Sequence, residues 1–128
     1  MEIVNSYPPN IERIREVLNP PATACFAYGD KIYNPSGNPI DTALLAHEQV
    51  HKKQQGDDPE GWWEEYLTDA QFRLSQEVAA YRKQIATLRE DPSFKTRMVT
   101  IIHAIAKELS GEMYGNITTY SKARKMIS

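Results

Sequence analysis

Two histidines four residues apart, with a glutamate beside the first, stand at His47-Glu48-Gln49-Val50-His51 and form the pattern HExxH. On a helix, positions i and i+4 share a face, so both imidazoles can close on one metal ion while Glu48 reaches a water held there. Two ligands and a general base are the parts of a metal-dependent hydrolase. Ordinary residue usage produces such a match in roughly a few chains per thousand of this length, so the flanks have to support a helix. Asp41 stands where an N-cap belongs, Leu44, Leu45 and Val50 offer an apolar side, and Gly56 is a stop signal. Only one of the three histidines in the chain lies outside the motif.

A catalytic zinc takes three protein ligands and leaves one position open, so HExxH needs a partner from elsewhere. Glu77 is the best candidate. It follows His51 by 26 residues in the helical stretch Gln76-Glu77-Val78-Ala79-Ala80-Tyr81, where a carboxylate in apolar surroundings needs a counter-charge. An antiparallel helix pair would bring it to the imidazoles, with Ala79 and Ala80 allowing close approach. Glu65, Asp69 and Glu90 compete for the role. His103 would instead give three imidazoles, yet it sits among Ile101, Ile102, Ala104 and Ile105, where a lone histidine is more often a hydrogen-bonded core residue or a contact behind the ligands. Cys25 is the only cysteine, which excludes an internal disulfide and a cysteine-based zinc site. Its expected place is a small buried position in a strand.

The elements that must position these residues follow from periodicity and breakers. Ile11, Ile14, Val17 and Leu18 predict a helix over Asn10 to Leu18, bounded by Pro8-Pro9 and Pro20-Pro21. Ala22 to Tyr33, with Gly29-Asp30 at its centre, reads as a β-hairpin, and 34–39 as a loop. After the motif helix, a helical run spans Trp62 to Arg89 with a candidate break near Thr68-Asp69. A further helix covers Ser93 to Leu109, with Met98, Ile101, Ile102, Ala104 and Ile105 inward, and one or two turns cover Thr119 to Met126. The fold class is α+β, mostly α, with a short hairpin before the HExxH helix, then a glutamate-bearing helix and C-terminal helices. The hairpin's free edge could pair with an extended peptide, unless the 34–40 loop caps it.

A length of 128 residues, 41% hydrophobic and 25% charged, fits one globular domain, 1–128. No apolar run approaches the about 20 residues that cross a bilayer, and Met1 to Asn10 carry no secretory signal pattern, so no membrane role and a cytoplasmic location are expected. A net charge of -2 gives no reason to expect nucleic-acid binding. Six acids and no base lie between Asp57 and Asp69, mostly a solvated face, though beside a cleft they would favour cationic peptide. Trp62-Trp63 opens a helix, so at least one ring is expected in the core, while the 100° between neighbours argues against equal burial.

Beyond the pentapeptide, the chain resembles the minimal gluzincins, short zincin-like metallopeptidases often found in bacteriophage and prophage genomes. The likeness rests on Leu45 to His51, Gln54-Gln55-Gly56, Trp62-Trp63, Tyr66-Leu67, Asp69, Phe72-Arg73, Gln76-Glu77, Ala80-Tyr81-Arg82, Leu109-Ser110-Gly111 and Tyr114-Gly115-Asn116, with Tyr120, Ala123 and Ile127 in the tail. It covers roughly residues 22–128. It implies a zincin-like fold with zinc on His47, His51 and Glu77, Glu48 as general base, and a tyrosine or histidine that stabilises the oxyanion. Tyr114 is the first choice for that donor because its Tyr-Gly-Asn loop could overlie the site, and His103 the second, with Tyr81 as packing and Asp69–Arg73 as a supporting ion pair. The activity implied is zinc-dependent peptide-bond hydrolysis by metal-activated water on a peptide or protein substrate, of narrow specificity. The alternative is a latent or non-catalytic zinc-stabilised interaction module.

Overall fold

The computed structural model describes residues 1–128. Three strands and six α-helices follow in the order β1 (Glu2–Val4), α1 (Ile11–Val17), β2 (Phe26–Tyr28), β3 (Lys31–Tyr33), α2 (Thr42–Gln55), α3 (Pro59–Thr68), α4 (Ala70–Arg89), α5 (Met98–Leu109) and α6 (Tyr120–Ile127). The fold is α+β and mostly helical, as the periodicity predicts, with the sheet ahead of the motif helix. No helix is long and apolar enough to cross a membrane.

Strands β2 and β3 form the expected hairpin around Gly29-Asp30, and Gly29 takes φ +64°, a left-handed value that glycine adopts without strain. β1 is an addition: it pairs parallel to β3, giving the sheet order β1-β3-β2. Three residues are too few for alternation to announce a strand. The outer edge of β2 is closed by side chains rather than by the 34–40 loop. Ala27 O accepts from Gln55 Nε2 at 2.8 Å and from Trp63 Nε1 at 2.9 Å, while Gly29 N donates to Gln55 Oε1 at 2.9 Å. These bonds tie the hairpin to the C-terminal end of α2 and to α3.

Asp41 caps α2, its Oδ1 accepting from Leu44 N at 2.7 Å, and Gly56 ends the helix at φ +55°. Asp69 breaks the long run as foreseen, capping α4 through Gln71 N and Phe72 N. The start of the next predicted helix, from Ser93, falls within a 3-10 stretch, Pro92–Arg97, opened by Pro92 before α5 begins. Ala104 is exposed, not inward, because Ile102, Ile105, Ala106 and Leu109 define the buried stripe of α5.

Apolar burial divides into two clusters. One joins Val78, Tyr81 and Ile85 of α4 to Ile102, Ile105 and Leu109 of α5 and to Ile127 of α6. The other joins Ile14, Leu18 and Phe26 to Trp62, Trp63, Tyr66 and Leu67. Both tryptophans are buried to the same degree, 6% and 7% exposed, against the expectation from their 100° separation. Helix α3 has neighbours on two sides: Trp62 turns toward α2 and α4, donating to Gln76 Oε1, and Trp63 turns toward β2.

Candidate metal centre

Helices α2 and α4 lie side by side. Gln54 meets Gln76, His47 meets Tyr81, and Thr42 shares a hollow with Thr87, so the two run antiparallel. The face that α2 turns inward is Ala43, His47, Glu48, His51 and Gln55, whereas Leu44, Leu45 and Val50 are only half-buried. A helix that buries its polar residues and leaves its leucines half in solvent requires partners for those polar groups, and α4 supplies Glu77. Ala80, fully buried, permits the approach, while Ala79 is exposed.

Nε2 of His47 lies 3.2 Å from Glu77 Oε1, and Nε2 of His51 lies 3.2 Å from Glu77 Oε2. One ligand atom from each of the three residues falls within 4.8 Å of the others. All three side chains are buried, at 4%, 5% and 3% exposure. Each imidazole nitrogen that faces Glu77 either carries a hydrogen and donates to the carboxylate or offers a lone pair, and in the second state a metal ion can sit between them. Glu77 Oε1 is buried without a hydrogen bond, the condition of an atom left for a metal. The residues therefore fit a metal: two nitrogens and one oxygen converge, and no other acid, cysteine or histidine joins them.

Electrostatics repeat this. Burial opposes the charge on His51, but Glu77 more than offsets it, and the imidazole is pushed up to about 9. Burial also opposes ionisation of Glu77, yet the two imidazoles hold it well below the usual carboxylate range. Tyr66 donates its hydroxyl to Glu77 Oε2 at 2.5 Å, and burial with that carboxylate keeps the phenol protonated. Glu48, beside the ligands and 4% exposed, is pushed upward by burial against the pull of His47 and His51. Its Oε2 has no hydrogen-bond partner.

The cluster opens into a cavity of about 260 Å³ between the two apolar clusters. Its lining includes His47, Glu48, His51 and Glu77, with Tyr81 and Tyr114 on one wall and Ile14 and Leu18 on another. Tyr114 lies in a 3-10 turn, Glu112–Tyr114, not an open loop, and Gly115 at φ +83° caps it. Arg73 fixes the turn, donating Nε to Tyr114 O at 3.0 Å and one amino group to Tyr66 O at 2.6 Å. Arg73 is thus a buried brace between carbonyls. The expected ion pair with Asp69 does not form, because Asp69 is spent on capping α4. The Tyr81 and Tyr114 hydroxyls are 2.6 Å apart, and the Tyr81 ring packs edge-on 4.5 Å from that of His47. Burial keeps both phenols protonated. One hydrogen serves their mutual bond and the other remains for an acceptor in the cavity, Glu108 or a ligand oxygen.

Other expected residues lie elsewhere. His103 is exposed on α5, does not line the cavity, and pairs with the Tyr120 hydroxyl at 2.7 Å. Ile102 and Ile105, not His103, occupy the buried stripe. Glu65, Asp69 and Glu90 are exposed and stand apart from the ligand cluster. Cys25 precedes β2, half-buried, and lines the cavity with a thiol pushed up to about 11 by burial. None of the acids between Asp57 and Asp69 lines it; Asp58 caps α3 and Glu64 pairs with Arg13. Gln54, Tyr66 and Glu108 received no role from spacing, because a neutral amide, a phenol or a lone acid carries no pattern until the helices are placed.

Comparison with known protein families, with curated proteins and with solved structures found no match for the chain.

Proposed function

We propose that this protein is a zinc metallopeptidase of gluzincin type, with His47, His51 and Glu77 as ligands and Glu48 as general base. The single observation that carries this reading is that Glu48 lines the same cavity as the three ligands, with a buried carboxylate oxygen that no donor occupies. Two imidazoles and a carboxylate suit zinc, and a three-residue set leaves a position open, where a structural site would be closed by a fourth ligand. Zinc, when bound, polarises a peptide carbonyl and makes a neighbouring water more acidic.

The chain's own residues do the rest. Glu48 accepts a proton from the attacking water, and its upward-shifted carboxyl is a better base than an ordinary glutamate. As the water oxygen bonds to the carbonyl carbon, negative charge builds on the carbonyl oxygen. The hydrogen left over from the Tyr81–Tyr114 pair is the donor that can meet that charge, which extends the role expected of Tyr114 to Tyr81. Glu48 then passes its proton to the amide nitrogen, the carbon–nitrogen bond breaks, and a carboxylate and an amine leave. The apolar wall of Ile14 and Leu18 offers contact to substrate side chains.

Glu48→Gln keeps the shape and the ligands but removes the base. Cleavage of a peptide library by the zinc-loaded protein is expected to fall at least about 100-fold, with zinc content unchanged. Undiminished cleavage by Glu48→Gln would overturn the mechanism.

A further inference from the structure

His51 is held from behind by Gln54, whose amide orientation is fixed by a main-chain carbonyl of the neighbouring helix. The main-chain carbonyl of Gln76 can only accept, and it takes Gln54 Nε2 at 3.1 Å. With its nitrogen so engaged, Gln54 presents Oε1 to His51 Nδ1 at 2.8 Å, and an amide oxygen can only accept. His51 Nδ1 must therefore carry the hydrogen, and in the neutral ring Nε2 is left with a free lone pair. Nε2 is the nitrogen that faces Glu77 Oε2, across 3.2 Å.

We infer that Gln54 is a positioning residue for the metal ligand His51: it selects the tautomer that exposes Nε2 and ties the histidine helix to the glutamate helix beside Glu77. The inference rests on the proposed metal site and deepens it. Gln54 also sets the ring's rotation, because the Nδ1 hydrogen bond spans i to i+3 on α2 while the second bond crosses to α4. His47 has no such support, since its Nδ1 is buried without a partner. The two motif histidines are thus unequal, one preorganised by an amide and one held by packing against Tyr81. Outer partners of metal-bound histidines commonly govern affinity by about 10–100-fold.

The test uses the full chain and zinc alone, in competition with a chromogenic chelator. Gln54→Ala is expected to weaken zinc binding about 10–100-fold, and Gln54→Glu, which restores an acceptor for Nδ1 but loses the donor to Gln76, is expected to recover most of it. A readout independent of affinity is the Nδ1-bound proton of His51 in the zinc-loaded protein, followed by nitrogen-15 labelling of histidine. It should be protected in the natural protein and in Gln54→Glu, and exchange rapidly with solvent in Gln54→Ala. If Gln54→Ala does not fold, Gln54→Met, similar in shape and without an acceptor oxygen, is read in the same way. Full affinity with a protected proton in Gln54→Ala or Gln54→Met overturns the inference. Equal weakening in Gln54→Ala and Gln54→Glu overturns it too, since the side chain would then act through Gln76 alone. A natural protein that takes up no zinc shows instead that the metal site itself is wrong, a different result from either.

Discussion

Helix α4 serves two regions of opposite character. Its N-terminal half sends Arg73 and Glu77 inward against α2 and α3, where nearly every buried neighbour is polar or has a polar end: His47, Glu48, His51, Tyr66 and Gln55. From Val78 onward it sends Val78 and Ile85 inward against Ile102, Ile105 and Leu109 of α5 and Ile127 of α6. The second region is complete in itself, since apolar side chains need only one another. In the first, two imidazoles converge on one carboxylate across 3.2 Å, a set that could hold a metal ion. Apolar packing and the cluster that could hold a metal ion are thereby separated along one helix.

That contrast can be broken from either side. The largest effect is expected at Glu77→Ala, which removes the shared carboxylate: zinc affinity should fall by more than the roughly 100-fold that an outer-partner change can cost, measured by chelator competition. Zinc binding that survives Glu77→Ala intact would mean the seam is not the metal centre. Leu109→Ala, at a residue 0% exposed in the apolar region, should cost about 2–5 kcal/mol of folding stability by denaturant titration while the folded protein keeps its zinc affinity. A comparable loss of affinity there would show that the two regions are coupled.

The smallest effect is one of pH on the metal-stripped protein. His51 is raised from 6.5 to about 9 in the fold, so the stability it contributes is whole below pH 6.5 and is lost as pH rises through about 9. Glu77 is shifted the other way, so its contribution is present above the ordinary carboxylate range and disappears as pH falls below it. The thermal midpoint of the metal-stripped protein should therefore decline from pH 6.5 to 9, and zinc should flatten that decline by replacing the proton. A decline of the same size with zinc bound would contradict a shared site.

How far the sequence reveals this arrangement depends on whether the signal is local. The His47–His51 spacing, the Asp41 cap, the Gly29-Asp30 turn and the break at Asp69 are each set by a few adjacent residues, and the structure has them where the pattern places them. Glu77 was legible because a carboxylate amid Val78 and Ala80 needs a counter-charge. His103 misled for the mirror-image reason: its apolar neighbours in sequence lie around the helix from it, and one face of α5 is solvent. Equal burial of Trp62 and Trp63 depends on α3 having neighbours on two sides, a tertiary fact. The Gln54 bridge from His51 to the main-chain carbonyl of Gln76 joins two helices and has no signature in either of them.

The central claim is that the seam between α2 and α4 holds one metal ion on His47, His51 and Glu77. Metal analysis of the purified chain, followed by X-ray absorption at the zinc edge, tests it most directly. The account predicts one zinc per chain with two imidazole ligands, light-atom donors throughout and no sulfur. A chain that retains no stoichiometric metal, or a zinc whose first shell contains the Cys25 sulfur, would contradict it.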